Sequence, residues 1–106
     1  SMLPDRGFRF GQVVRFPAVY RDISLIAPLD KTVASVEEEI RVQGGTLLRG
    51  AFLFDVYQGK GIPEGNRSLA FSLAYGDPSR TLRDSEVDEV HDAIRKHLEE
   101  KGFVLR

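Results

Sequence analysis

Four side chains that can stack on or hydrogen-bond to a planar ligand occur in three stretches of alternating sequence. Asp55 and Tyr57 occupy alternate positions of FLFDVYQGKG, and Ser68 is one of the small residues that alternate with large ones in RSLAFSLAY. Ser24 lies on the polar parity of RDISLIAP. Because alternate residues of a strand point to the same side, each stretch presents its polar residues on one face. An aromatic ring, a carboxylate and hydroxyls together suit an unpaired nucleobase, which stacks on aromatic side chains and hydrogen-bonds through its edges.

The carboxylate of Asp55 indicates which base would fit. A carboxylate that accepts two N–H bonds matches the Watson–Crick edge of guanine, because adenine and uracil do not present that pair of donors. A purely structural interpretation is also open, in which Asp55 caps a turn and Tyr57 covers the edge of the sheet. Basic side chains placed around the site could reach a phosphate backbone: Arg21, Lys60, Arg67, Arg80 and Arg83.

The elements that must position these residues follow from the hydrophobic periodicity. RDISLIAP alternates as a strand, TVASVEEEIRVQGG has helical spacing and ends at two glycines, and LLRGAFLFDVY and RSLAFSLAY alternate again. A longer amphipathic helix follows RTLRD, and FVLR makes a short last strand. The order strand, helix, strand, strand, helix, strand predicts an α+β fold. It is a ferredoxin-like βαββαβ sandwich, whose four-stranded antiparallel sheet carries two helices on one face.

This fold makes a specific prediction about the second strand. Strands one and three lie side by side in the centre, and strand two flanks strand three. We expect the apolar parity of strand two to face the helices, namely Phe52, Phe54 and Val56. The other parity then lies on the open face, and its polar side chains meet those of the central strands near the glycine-rich loop QGKGIPEGNR.

The composition is that of an ordinary soluble globular domain. The 106 residues carry a net charge of −1 and no cysteine, which excludes disulfides and thiolate metal sites. No apolar run approaches the roughly 20 residues of a membrane-spanning helix, so we expect a cytoplasmic protein without a membrane partner. The net charge argues against indiscriminate binding of polyanions, and we expect no DNA partner. Ser1-Met2 is typical of a cloning remnant. We assign residues 1–15 to a tag remnant and extended lead-in, and residues 16–106 to the domain.

Two features of the sequence resemble catalytic or metal-binding motifs, but their spacing does not fit either use. GKGIPEG lacks the spacing of a phosphate-binding P-loop and precedes a strand, whereas a P-loop opens a helix. His91 and His97 are six residues apart, a spacing that does not place both on one helical face for a metal ion. We therefore expect no catalytic residue, metal or cofactor in this domain.

The stretches RDISLIAP, FLFDVYQGKGIPEGNRSLAFSL and DPSRTLRDSEVDE together resemble the C-terminal ferredoxin-fold anticodon-binding domain of bacterial phenylalanyl-tRNA synthetase β subunits. The resemblance runs from about residue 16 to residue 106. It implies a ferredoxin-like fold whose open sheet face holds the anticodon of tRNA-Phe. The first base of that anticodon is guanine.

The resemblance also implies roles for individual residues. Tyr57 matches the tyrosine on which the guanine stacks, Asp55 matches the carboxylate that reads its edge, and Ser68 matches a hydrogen-bonding serine. Ser24 falls where a small residue covers the other side of the base, so its hydroxyl is a departure from the pattern. Less distinctive matches to the polar rim of the family are Arg21, Asp22 and Arg67.

By the same resemblance, the parent would be an enzyme of two α and two β subunits that joins phenylalanine to tRNA with ATP and Mg²⁺. Its active site lies on the α subunit. A shorter organellar enzyme of the same family also ends in such a domain. A hypothesis of a different class stays open: a ferredoxin-like protein-interaction or small-ligand domain that uses the same face without a preference for RNA.

Overall fold

The computed structural model describes residues 16–106, so the predictions for residues 1–15 lie outside the described part of the chain. The elements follow one another as β1 (Val19–Pro28), α1 (Val33–Gly44), β2 (Leu48–Tyr57), β3 (Asn66–Tyr75), α2 (Asp84–Glu100) and β4 (Val104–Leu105). A single 3₁₀ turn, Gly45–Leu47, connects α1 to β2. The order of strands and helices is the predicted one, and the ferredoxin-like α+β fold is confirmed.

The four strands form one antiparallel sheet in the order β2-β3-β1-β4. The central pair, β1 and β3, stays in continuous register from Val19 opposite Tyr75 to Pro28 opposite Asn66. The two central strands are held on both sides, since β2 pairs with β3 and the short β4 pairs with β1.

Both helices cover the same face of the sheet. Their buried side chains pack against the odd-numbered residues of the central strands, and each fully buried Leu or Ile contributes about 1.5 to 3 kcal/mol. The fully buried members are Ile23, Leu25, Leu69, Phe71, Leu73 and Tyr75 from the sheet, and Val36, Ile40, Val87, Ile94 and Leu98 from the helices. The even-numbered residues of β1 and β3 therefore point to the opposite side, which we call the open face.

The prediction that the apolar parity of β2 faces the helices is wrong for Phe52 and Phe54. Both are 58% exposed, and Phe52 pairs with Ser72 on the open face. The reason is a β-bulge: Leu53 pairs with Phe71 and Asp55 with the preceding residue of β3, which leaves Phe54 without a register partner on that strand. The extra residue reverses the parity of the strand.

The bulge has opposite consequences for the two halves of β2. From Gly50 to the bulge, odd-numbered residues face the helices, since Ala51 is buried and Leu53 packs against the core. A second register shift, between Leu48 and Gly50, puts Leu48 on the helix side as well. After the bulge, Val56 pairs with the buried Leu69 and keeps its predicted side, although it is 48% exposed. Bulges also make an edge strand a poorer template for pairing with another chain.

Candidate nucleic-acid interface

The register of the sheet brings four predicted side chains into two neighbouring rows of the open face. In the first row Tyr57 pairs with Ser68, which pairs in turn with Ile26. In the second row Asp55 and Ser24 lie on either side of Ala70. Successive rows on one face of a strand are about 7 Å apart, so a single planar ligand can contact both rows.

The floor of these two rows is made of small residues. Ser68 and Ala70 are only 5% and 8% exposed although they belong to the open face. Ser68 lies between the larger Tyr57 and Ile26, and Ala70 lies between Asp55 and Ser24. We call this strip of small residues, with Tyr57 and Asp55 on the strand along one side of it, the trough. A flat aromatic base fits such a trough better than a bulky aliphatic group.

Tyr57 is held in position by the loop that follows it. Its hydroxyl donates a hydrogen bond of 2.8 Å to the backbone carbonyl of Lys60, and the ring stays 42% exposed. Gly59 has a φ of 147°, and a Cβ atom there would lie 3.3 Å from the Tyr57 hydroxyl. The loop therefore needs glycine at this position to approach the ring so closely.

The same loop encloses a cleft of about 270 Å³ next to the end of β2. It is lined by Gln58, Gly59, Ile62, Pro63, Glu64, Gly65 and Asn66. Three of the seven carry amide or carboxylate side chains and two are apolar, so the cleft offers both hydrogen-bonding groups and apolar surface beside Tyr57.

Arg106 also reaches the open face, and sequence reasoning missed it. Its backbone N–H donates to the carbonyl of Ser24 at 2.9 Å, and its guanidinium donates to the hydroxyl of Ser68 at 2.9 Å. The local pattern predicts a short final strand but not its partner, and the position of Arg106 depends on pairing with the far edge of β1. A cation thus lies in the row that contains Tyr57.

Two of the predicted rim residues are not brought to the open face. Arg21 lies on the parity of the buried Ile23, and its guanidinium is 3.4 Å from Asp88 and 3.6 Å from Asp84 at the start of α2. Alternation within RDISLIAP already carried this signal.

Arg67 pairs with the buried Ala27 and donates a hydrogen bond of 3.1 Å to the backbone carbonyl of Lys31. It fastens the turn after β1 on the helix side of the sheet. Of the predicted cations in the site set, Lys60 alone lies beside Tyr57, through its position in the loop.

Arg80 is committed to a structural ion pair. Its guanidinium donates two hydrogen bonds, of 2.6 and 2.8 Å, to the carboxylate of Glu86. Those bonds, with one from the backbone N–H of Arg83, lower the pKa of Glu86 to about 2. The pair stabilises the beginning of α2, so Arg80 is less available to a phosphate than its charge suggests.

The two histidines have structural partners as well. His91 forms a hydrogen bond of 2.9 Å with the hydroxyl of the buried Tyr75, and His97 one of 2.7 Å with Glu39 on α1. Within residues 16–106, no cluster of three His, Asp or Glu side chains could hold a metal ion. In that same range, no helix combines the length and apolarity needed to cross a bilayer.

Known proteins are similar to this chain along its whole length. Residues 14–106 match the model of the ferredoxin-fold anticodon binding domain. The whole chain is 46% identical over 106 residues to a phenylalanine–tRNA ligase beta subunit of Symbiobacterium thermophilum, and 43% identical over 109 residues to that of Halalkalibacterium halodurans. A third such subunit, from Moorella thermoacetica, is 48% identical over 99 residues, or 92% of this chain. The chain spans only 12 to 14% of the length of these curated relatives.

Proposed function

Because the chain belongs to the family of ferredoxin-fold anticodon-binding domains, we propose that its open face binds the anticodon of tRNA-Phe and reads the first base, a guanine. The observation that carries this proposal is the convergence of Tyr57, Asp55 and Ser68 in two neighbouring rows of one sheet face. Ser68 is separated from the other two along the chain by a long loop, and the alignment depends on the bulge in β2.

Each residue of the trough has a role that its chemistry supports. Tyr57 stacks on the face of the base, which contributes about 1 to 3 kcal/mol for a base on an aromatic side chain. Asp55 accepts the two N–H bonds of the guanine Watson–Crick edge. The Ser68 hydroxyl accepts from Arg106 and keeps its own O–H to donate from the floor, while the Ser24 hydroxyl can donate or accept.

The cations of this proposal are Lys60 and Arg106. Lys60 follows Tyr57 in the loop, and Arg106 lies against Ser68, so both are placed to meet the phosphates that flank a base bound in the trough. Arg21 and Arg67 support the site indirectly, since they tie β1 to α2 and β3 to the turn after β1.

We further propose that the chain is a domain of a phenylalanine–tRNA ligase beta subunit, in line with the relatives described above. Such a subunit would assemble with an α subunit as α2β2 in the cytoplasm, and ATP and Mg²⁺ would be used at the active site on the α subunit. This chain would then contribute RNA binding, and its residues would take no part in the chemical step.

Binding of anticodon stem-loops to the 106-residue chain tests the proposal. We expect Tyr57→Ala to weaken binding about five- to hundredfold, which is the loss of one stacking contact. Asp55→Asn should reduce the preference for guanine over adenine at the first position. Glu89→Gln, which alters an exposed acid on α2, is the matched control and should bind like the wild type.

Unchanged affinity in both site variants would refute the proposal. Equal binding of guanine-containing loops, guanine-lacking loops and unrelated RNA would instead favour the alternative hypothesis, a protein-interaction or small-ligand domain on the same face. Thermal unfolding of each variant separates a loss of binding from a loss of folded protein.

A further inference from the structure

The end of the open face that lies away from Tyr57 carries two large exposed aromatic side chains. Tyr20 on β1 is 61% exposed and Phe52 on β2 is 58% exposed. Tyr20 lies opposite Ala74, which pairs with Gly50, while Phe52 lies one row away, opposite Ser72. Neither ring contributes to the core, and the base-binding trough does not include them.

The ring of Phe52 leans towards the row of Tyr20. A Cβ atom on Gly50 would lie 2.7 Å from the Phe52 ring, so the absence of a side chain at Gly50 lets the ring lie over the backbone there. Between β1 and β2 runs β3, which contributes only Ser72 and Ala74 at this level. Because adjacent strands are about 4.8 Å apart, the two aromatic residues flank this small-residue floor from backbones about 10 Å apart.

Asp22 and Ser72 complete the set. They are register partners on the open face, in the row of Phe52. The group therefore repeats the chemistry of the trough. Each has an aromatic ring on a strand that flanks β3, a hydroxyl on β3, and a carboxylate no more than one row from the ring. We call the four residues Tyr20, Asp22, Phe52 and Ser72 the distal aromatic site.

We propose that the distal aromatic site binds a second unpaired base of the same RNA strand, an inference that rests on the proposed function. Ser68 and Ser72 are four residues apart on β3, which corresponds to about 13 Å. Bases stacked as in a helix are about 3.4 Å apart, so neighbouring stacked bases cannot occupy both sites. The strand must cross the intervening row, at Ala70, in an unstacked and extended form.

Charge determines how such a base would be oriented. An ionised carboxylate only accepts hydrogen bonds, so Asp22 favours a base with an N–H donor on its edge and disfavours a phosphate. The exposed Arg49 flanks Gly50 on the outer strand and packs along Gly76, where it can meet the backbone of the RNA. The base edge therefore points to β1, and the sugar-phosphate chain runs along the side of β2.

RNA is favoured over a protein partner because of the polar floor and its continuity with the trough. A standard protein interface buries about 800 Å² on each side, and its centre is depleted in charged residues. Here Ser72 places a hydroxyl on the strand between the two aromatic residues, and Asp22 places a carboxylate across that strand from Phe52. The site also shares its strands and its face with the trough.

The test compares Tyr20→Ala and Phe52→Leu with the control Val42→Ala, which truncates an exposed apolar residue on α1. Leucine keeps apolar bulk over Gly50 but removes the aromatic face. For an anticodon stem-loop, we expect each site variant to bind about five- to hundredfold more weakly than the wild type and the control to bind normally. The measurement is then repeated with loops that each lack one base. The difference in affinity between the wild type and the distal variants should disappear for the loop that lacks the base bound at the distal site, which is a base other than the first.

Three results would overturn the inference, and they are distinguishable. If Tyr57→Ala and Asp55→Asn weaken binding while both distal variants bind every loop normally, the distal site is no RNA site and the proposed function stands. If the wild type prefers no loop over unrelated RNA, the proposed function fails and the distal site fails with it. If the distal variants change self-association in sedimentation and leave RNA affinity intact, the aromatic residues bind a second copy.

Discussion

The guanidinium of Arg106 donates a hydrogen bond of 2.9 Å to the hydroxyl of Ser68. The two residues lie 38 positions apart in the chain, and Ser68 forms part of the floor beneath the proposed guanine. The contact brings a permanent positive charge to the trough from the opposite edge of the sheet. It also pre-positions a cation in a chain whose overall net charge of −1 offers little general attraction to RNA.

Arg106→Gln should weaken the binding of an anticodon stem-loop severalfold and make it less sensitive to salt. If the guanidinium meets one phosphate, the slope of log affinity against log salt should fall by about 0.7, the value for one charge on a single strand. Fluorescence anisotropy between about 50 and 200 mM salt measures both quantities. The backbone bond to Ser24 is kept in the variant, so β4 should remain paired.

Lys96→Gln is the matched control for Arg106. It removes an exposed cation from α2, on the helix side of the sheet, and changes the net charge equally. A salt slope reduced to the same extent by both variants would mean that only the total charge matters, and the assignment of Arg106 to the trough would be withdrawn.

Gly59→Ala should impair RNA binding through Tyr57. The backbone φ of 147° is rarely adopted by residues with a side chain, and the new Cβ would lie 3.3 Å from the Tyr57 hydroxyl, so the bond to Lys60 is strained. We expect severalfold weaker binding and a loss of about 1 to 3 kcal/mol in the free energy of unfolding. Calorimetric titration and urea unfolding measure the two effects.

Gly45→Ala provides a comparison with similar backbone strain. Its φ is 64° and it follows the last residue of α1, away from the loop that holds Tyr57. Among the described residues, no atom beyond its chain neighbours lies within 4 Å of where a Cβ atom would stand. The variant should lose stability and keep RNA affinity. Equal losses of affinity in the two glycine variants would contradict a specific effect on Tyr57.

Deleting Phe54 should destabilise the protein far more than replacing its side chain by that of alanine. Without this bulge, β2 alternates strictly from Gly50 onward, so either Ala51 and Leu53 leave the core or Asp55 and Tyr57 turn into it. We expect the deletion to lower the free energy of unfolding by about 2 kcal/mol or more, which is the order of the cost of exposing one buried leucine side chain to water. Phe54→Ala keeps the extra residue and should stay within about 1 kcal/mol, as for other exposed positions.

Urea unfolding monitored by circular dichroism measures this pair of variants. A deletion as stable as Phe54→Ala, with RNA binding intact, would mean that β2 can re-register without the bulge. The proposed alignment of Asp55 with Tyr57 would then need another cause.

Mild acid should destabilise the protein through His91. Burial lowers the pKa of His91 below its usual value of 6.5, and the charge of Arg95 acts in the same direction, while a hydrogen bond with the Asp22 backbone opposes the shift. The unfolded chain therefore binds the proton at higher pH than the folded chain. The contribution of this residue is complete above about pH 6.5 and is lost as the pH falls towards its folded pKa.

Melting temperatures of the wild type and His91→Gln at several pH values from about 7.5 to 5 check this expectation. The variant lacks the titrating ring but can still hydrogen-bond to Tyr75, so its stability should decline less over this interval. Parallel declines in the two proteins would assign the acid sensitivity to other groups.

Most of the secondary structure was predictable because its signals are local. The alternation of β1 and β3 and the apolar stripe of α2 lie within single elements, and each is buried as its period requires. The same local rule indicated that Asp55 and Tyr57 share a face. It also places Arg21 and Arg67 on the buried parity, where the structure has them.

The amino-acid sequence by itself determined the strand and helix order, the buried stripe of each helix and the shared side of Asp55 and Tyr57, because these depend on neighbours within one element. Tertiary structure alone decided which residues of β2 share that side with them. The bulge at Phe54 exists only relative to β3, and it moves Phe52 from the predicted core to the open face. The contact of Arg106 with Ser68 likewise requires three strands to pair, and no local pattern encodes a pairing across 38 residues.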